Sequence, residues 1–116
     1  MTLRMYGIPN CDTVKKARTW LDGAGIAYSF HDYKKAGVDE AALKRWSGEL
    51  GWEKLLNKAG TTFRKLSDAD KADIDEAKAI RLMRDNPSMI KRPVVEGNGK
   101  LLAGFKPDAY AAAFGR

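Results

Sequence analysis

The first thirty-three residues constrain this chain most, because a strand, a helix and a second strand follow one another there with almost no spare length. Residues 2–7 alternate loosely around Leu3 and Met5 and stop at Gly7, which reads as a short strand. Ile8-Pro9-Asn10-Cys11-Asp12-Thr13 is turn chemistry with several candidate helix caps. A helix should follow, with Val14, Ala17, Leu21 and Ala24 inward, and Lys15, Lys16, Arg18 and Asp22 outward. Gly23 and Gly25 end it. Ala27 to His31 then reads as a second strand, running through Asp32-Tyr33 into a basic turn.

The far end of the chain supplies the other half of a sheet. Residues 93–96 and 100–103 are strand-like, and Gly97-Asn98-Gly99 between them marks a hairpin loop. Pro107 opens a last helix at its favoured first position, with Tyr110 and Phe114 on one face. Between the halves lies helical sequence. Asp39 can cap a helix with the stripe Leu43, Trp46, Leu50 that Gly51 stops, and Trp52–Asn57 adds a further helical turn. Residues 59–62 read as a loop leading into Phe63-Arg64-Lys65-Leu66, and Ser67 with Asp70 resembles a capping box. A helix over 75–85 should carry Ala77, Ile80 and Met83 inward and end before Pro87.

The order β-α-β, helices, β-β-α predicts an α/β protein of thioredoxin-like fold with a mixed four-stranded sheet. At 116 residues one domain suffices, spanning 1–116, with a helical insertion at approximately 39–90. The opening Met1-Thr2-Leu3-Arg4-Met5-Tyr6-Gly7 lacks the apolar run of a signal peptide, and no stretch is long enough to span a bilayer. The expected location is cytoplasmic, with no membrane partner.

The net charge is +6, but the basic residues come in scattered pairs such as Lys15/Lys16, Lys34/Lys35, Arg64/Lys65 and Lys91/Arg92. That pattern suits a solvated surface or a small anion site and speaks against nucleic acid. Only one cysteine is present, so an intrachain disulfide and a cysteine-rich metal site are both excluded. No metal is expected.

A lone cysteine is most often a small buried apolar side chain. Cys11 stands instead in the polar run Asn10-Cys11-Asp12-Thr13, between a strand and the start of a helix. Backbone N–H groups there lack intrahelical partners, and the helix dipole favours a thiolate or an incoming anion. Asp12 opposes that charge and Lys15 supports it. The third residue after Cys11 is Val14, so no resolving thiol follows, and an external thiol must release any adduct. His31 is the sole histidine and reads as structural or solvent-exposed, and Trp20, Trp46 and Trp52 as core or subdomain contacts.

Four segments carry a family resemblance: Tyr6-Gly7-Ile8-Pro9-Asn10-Cys11-Asp12-Thr13-Val14-Lys15-Lys16-Ala17, Asn57-Lys58-Ala59-Gly60-Thr61-Thr62-Phe63-Arg64-Lys65-Leu66, Ile90-Lys91-Arg92-Pro93 and Leu102-Ala103-Gly104-Phe105. In this order and spacing they resemble the arsenate reductase-like family, which includes arsenate reductases, Spx regulators and YffB proteins. The likeness is to the YffB-like branch in particular.

The resemblance implies a nucleophilic Cys11, with Asn10, Asp12 and Thr13 beside it at the anion-binding helix start. It implies a cis-proline candidate at Pro93. Of the three arginines with which such arsenate reductases hold an oxyanion, Arg64 and Arg92 match two. Lys106 stands at the third, and lysine keeps the charge without the planar fork that grips an oxyanion. The implied function is that of a glutathione-dependent thiol–disulfide oxidoreductase. Glutathione would be a co-substrate with no bound cofactor, a small thiol, disulfide or oxyanion the substrate, and glutaredoxin a further partner. The alternatives are an arsenate reductase proper and an Spx-like regulator binding RNA polymerase. Spx-type sensing uses a Cys-x-x-Cys switch, which Val14 removes.

Overall fold

The computed structural model describes residues 3–114 apart from Ala59 and Asn98. It divides into two compact units: residues up to Ala36 together with those from Arg92 onward, and Gly37–Lys91. Thr2 of the first expected strand and Asn98 of the expected hairpin loop lie outside the described residues.

The first unit is built on β1 (Leu3–Gly7), α1 (Asp12–Gly23), β2 (Tyr28–Asp32), α2 (Tyr33–Ala36), β3 (Val94–Gly97), β4 (Lys100–Ala103) and α8 (Pro107–Phe114). Its sheet has the order β2-β1-β3-β4. β1 runs parallel to β2, from Leu3 opposite Tyr28 to Gly7 opposite Asp32. It runs antiparallel to β3, with Met5 opposite Val95 and Tyr6 opposite Val94. β3 and β4 form an antiparallel pair from Val94–Ala103 to Gly97–Lys100. This is the expected thioredoxin-like fold with its mixed four-stranded sheet.

Side chains alternate across a strand, so one face of the sheet carries the row Phe30, Met5, Val95, Leu102. Leu3, Met5 and Val95 pack there with Val14, Ala17 and Leu21 of α1 and Tyr110 of α8 into one buried cluster. Ala24 is only half-buried, because α1 stops at Gly23 and leaves it as the C-cap. The expected basic turn after β2 is a helical turn, α2, whose start Asp32 caps by accepting bonds from the N–H groups of Lys34 (3.1 Å) and Lys35 (3.3 Å).

The second unit comprises α3 (Glu40–Leu50), α4 (Trp52–Leu55), α5 (Thr61–Arg64), α6 (Asp68–Lys71), α7 (Glu76–Asp85) and a 3-10 turn at Pro87–Met89. Leu43 and Trp46 of α3, Leu55, and Ile80 and Met83 of α7 are buried. Ala77, expected inward, is exposed, since at 100° per residue it falls nearly opposite the stripe of Ala79, Ile80, Leu82 and Met83. Leu50 is half-buried. Asp39 occupies the N-cap of α3 without a side-chain capping bond, whereas Ser67 and Asp75 cap α6 and α7 by accepting from Asp70 (3.1 Å) and Lys78 (2.8 Å). The loop expected over 59–62 is already helical from Thr61. A β-bridge between Leu56 and Ile90 closes this unit, flanked by Asn57 N–H to Met89 O (2.7 Å) and Lys91 N–H to Leu55 O (2.8 Å).

Two predictions come from the first unit. A Cβ at Gly7 would stand 3.0 Å from a methyl of Val14, a stiff, fully buried β-branched side chain. Gly7→Ala should destabilise the protein by about 1–3 kcal/mol in urea unfolding, as over-packing does. Burial also holds the phenols of Tyr33 and Tyr110 protonated well above their ordinary value of 10.0. Above that value the unfolded chain loses protons that the folded chain keeps, so stability is unaffected below it and falls as pH rises beyond it. Each phenol should steepen the fall by up to about 1.4 kcal/mol per pH unit. Tyr33→Phe should remove its share of that slope in urea unfolding measured across the alkaline range.

Candidate functional site

The topology gathers four chain segments at one end of the sheet. β1 and β2 are parallel, so Gly7 and Asp32 end side by side and the segments after them leave together. β3 is antiparallel to β1, so the residues before Val94 enter beside Tyr6 at that end. β4 returns antiparallel to β3, bringing Gly104 and its successors there as well. Ligand sites in open α/β sheets favour the carboxyl ends of the parallel strands, and the same end collects them here.

Cys11 comes from the first segment. Its N–H donates to Ile8 O (3.2 Å), folding the loop back, and its carbonyl accepts from Lys15 N–H (2.9 Å), opening α1. Cys11 is therefore the N-cap of α1, in extended backbone (φ −94°, ψ 126°), half-buried and packed against the core cluster. Its side chain makes no capping hydrogen bond, and as the N-cap the residue stands at the positive end of the helix dipole. Asn10, Asp12 and Thr13 flank it and are exposed.

The third segment brings half-buried Arg92 and buried Pro93, joined by a cis peptide bond. The fourth brings Lys106, whose side chain is exposed. Gly104, buried at φ 82°, donates its N–H to Pro93 O (2.8 Å), so the Lys106 loop is tied to the cis-proline segment. Arg64 belongs to the second unit. It is exposed at the end of α5, and its carbonyl accepts from Lys71 Nζ (2.8 Å). The hydroxyls of Thr62 and Ser88 pair at 2.8 Å and hold α5 to the 3-10 turn.

The second segment supplies a residue that sequence reasoning did not select. Tyr33 directly follows β2 and is fully buried. Burial is the main cause that keeps its phenol protonated; the charge of Arg92 opposes this, and those of Cys11 and Asp32 reinforce it. Tyr33, Cys11 and Arg92 thus lie within electrostatic range, one from each of three adjacent segments. The signal available in the sequence was positional: the residue after the second parallel strand must emerge beside the loop after the first. His31 lies within β2, its ring 5.0 Å from that of Tyr6. Trp46 is fully buried, Trp20 meets the ring of Tyr110 edge-on, and Trp52 lies 5.6 Å beneath Lys58 Nζ.

Among the described residues, no three His, Cys, Asp or Glu side chains are grouped to hold a metal ion, and no helix is long and apolar enough to cross a membrane. The chemistry on offer is that of one thiol at a helix start, on the sheet end that also receives the Arg92–Pro93 and Lys106 segments.

Comparison with known proteins finds relatives of the same fold. An uncharacterized protein of Haemophilus influenzae is 42% identical over 112 residues, covering 97% of this chain and 98% of its own. The global transcriptional regulator Spx of Streptococcus mutans is 27% identical, covering 90% of this chain and 77% of its own. Among solved structures, a YffB protein is 65% identical with a TM-score of 0.94, covering 97% of this chain and 98% of its own. An arsenate reductase (ArsC) related protein from Brucella melitensis is 55% identical with a TM-score of 0.76, covering 98% of this chain and 95% of its own. The ArsC family model matches residues 6–113, from the end of β1 to the last turn of α8. With a match of that extent, the chain belongs to the ArsC family.

Proposed function

We propose that this protein is a thiol–disulfide oxidoreductase that works through Cys11 alone, with glutathione as co-substrate. The observation that carries the reading is the placement of the chain's one thiol, half-buried at the N-cap of α1, on the sheet end shared with Arg92 and Lys106. In the first step the Cys11 thiolate attacks the glutathione sulfur of a mixed disulfide. The old S–S bond breaks, the substrate leaves as a thiolate that takes a proton from solvent, and Cys11 carries one glutathione. A second glutathione thiolate then attacks that glutathione sulfur, freeing Cys11 and forming glutathione disulfide. The two electrons come from glutathione, so no bound cofactor is needed.

The cationic groups have a role in this cycle because glutathione bears two carboxylates. Arg92 and Lys106 orient the anionic part of the substrate, and the exposed start of α1 at Asn10, Asp12 and Thr13 offers N–H donors. Such a cycle belongs in a reducing compartment, which fits a cytoplasmic location, and glutaredoxin is an alternative source of the resolving thiol.

Two experiments test the reading. Glutathione disulfide should load the folded protein with one glutathionyl group by mass spectrometry, excess glutathione should remove it, and Cys11→Ser should take up none. An unmodified, folded wild type would overturn the proposal. The second concerns arsenate. A charge-assisted bidentate contact is worth about 1.5–3 kcal/mol, so lysine at 106 should cost roughly ten- to hundred-fold in oxyanion affinity. Arsenate turnover with glutathione and glutaredoxin supplied should therefore be weak and should rise in Lys106→Arg. Robust wild-type turnover would replace this reading with that of an arsenate reductase.

A further inference from the structure

Tyr110 is 1% exposed in the middle of α8, and packing alone does not explain why it is a tyrosine. Its ring is met edge-on by Trp20 (5.6 Å between centroids), Phe105 (4.9 Å) and Phe114 (5.6 Å), contacts that a phenylalanine would keep. Only the hydroxyl distinguishes the two residues. That hydroxyl donates to Gly104 O at 3.1 Å in the buried interior. The backbone N–H of Tyr110 donates to Lys106 O at 3.0 Å, and Gly104 in turn donates to Pro93 O at 2.8 Å. One side chain and its own backbone thus hold the loop on both sides of Phe105, and the loop is fastened to the segment that carries Arg92.

We propose that Tyr110 is a positioning residue for the anion-binding side of the site: through Gly104, its hydroxyl sets where Lys106 and the Arg92–Pro93 segment stand. The inference rests on the reading that these cations meet the carboxylates of a glutathione-type substrate. The Lys106 side chain is exposed while its backbone is pinned, which suits a charge that must reach solvent from a fixed base. Burial keeps the phenol protonated, so the hydroxyl donates to Gly104 throughout the working pH range.

Tyr110→Phe keeps the ring and its three edge contacts and removes only the donor. Its steady-state reduction of a glutathione mixed disulfide should show a KM raised about three- to tenfold, the range a neutral hydrogen bond spans, with kcat within about twofold. Exchange of the Gly104 amide proton should quicken. In a Lys106→Met background the same change should raise KM by a smaller factor, since only the Arg92–Pro93 segment is then left for the hydroxyl to position. Phe114→Leu serves as the comparison, since it loosens the ring packing and lowers the thermal midpoint without touching the hydroxyl, and its KM should stay at the wild-type value.

Wild-type turnover with an unchanged KM in Tyr110→Phe would overturn the inference, as would an equal rise in Phe114→Leu. A wild type that neither turns over nor takes up glutathione would instead overturn the parent reading, and the substrate role of Tyr110 with it.

Discussion

Pairing of β1 on both of its edges, parallel on one side and antiparallel on the other, is the constraint on which the rest of the first unit depends. A strand paired on both sides has its backbone groups satisfied, so Leu3 and Met5 can be fully buried at no polar cost. The mixed directions matter as much as the pairing. Were β3 parallel to β1, the residues before it would emerge at the opposite end, and Arg92 and Pro93 would be a strand's length from Cys11. The antiparallel choice brings the exits of β1, β2 and β4 and the entry of β3 together. Gly7 finishes the arrangement, since a side chain there would push against Val14 and move the helix whose start holds the thiol.

Chemistry narrows the site further than geometry does. With a single sulfur of this kind in the chain, every covalent adduct has to be resolved from outside, and the surface beside Cys11 must admit a second thiol after the first has reacted. The exposed flanking residues Asn10, Asp12 and Thr13 leave that approach open, while Val14, where a resolving thiol would stand, is committed to the core.

What the sequence discloses follows from how strongly each element depends on its own residues. α1 was legible because its apolar residues recur at helical spacing and glycines stop it, and the first strand and the hairpin because Gly7 and Gly97 bound them. The ends were less so, with β2 starting at Tyr28 and β3 at Val94, because hydrogen-bond pairing and not side-chain pattern decides them. α2 and α5 are four residues each, too short for a period to register, and Asp32 makes the first of them by capping it from the preceding strand. Ala77 was misplaced because alanine suits either face of a helix and says little about orientation. In the site, Cys11 stood out through its polar neighbours, and Arg64, Arg92 and Lys106 only through resemblance. Tyr33 carried no signal of its own, since its part in the site comes from the strand order and not from its neighbours in the chain.

The two pieces of the first unit are separated by a long run of chain, and this governs the order in which the protein can assemble. Met5 must find Val95 across about ninety residues, a costly closure for a flexible chain. The run between them is not left flexible, however. Leu56 and Ile90 bridge within the second unit, which gathers much of the intervening chain into a body of its own. If that body forms early, the sheet closes over a far shorter effective tether. The helical insertion would then set how fast the active strand pair meets.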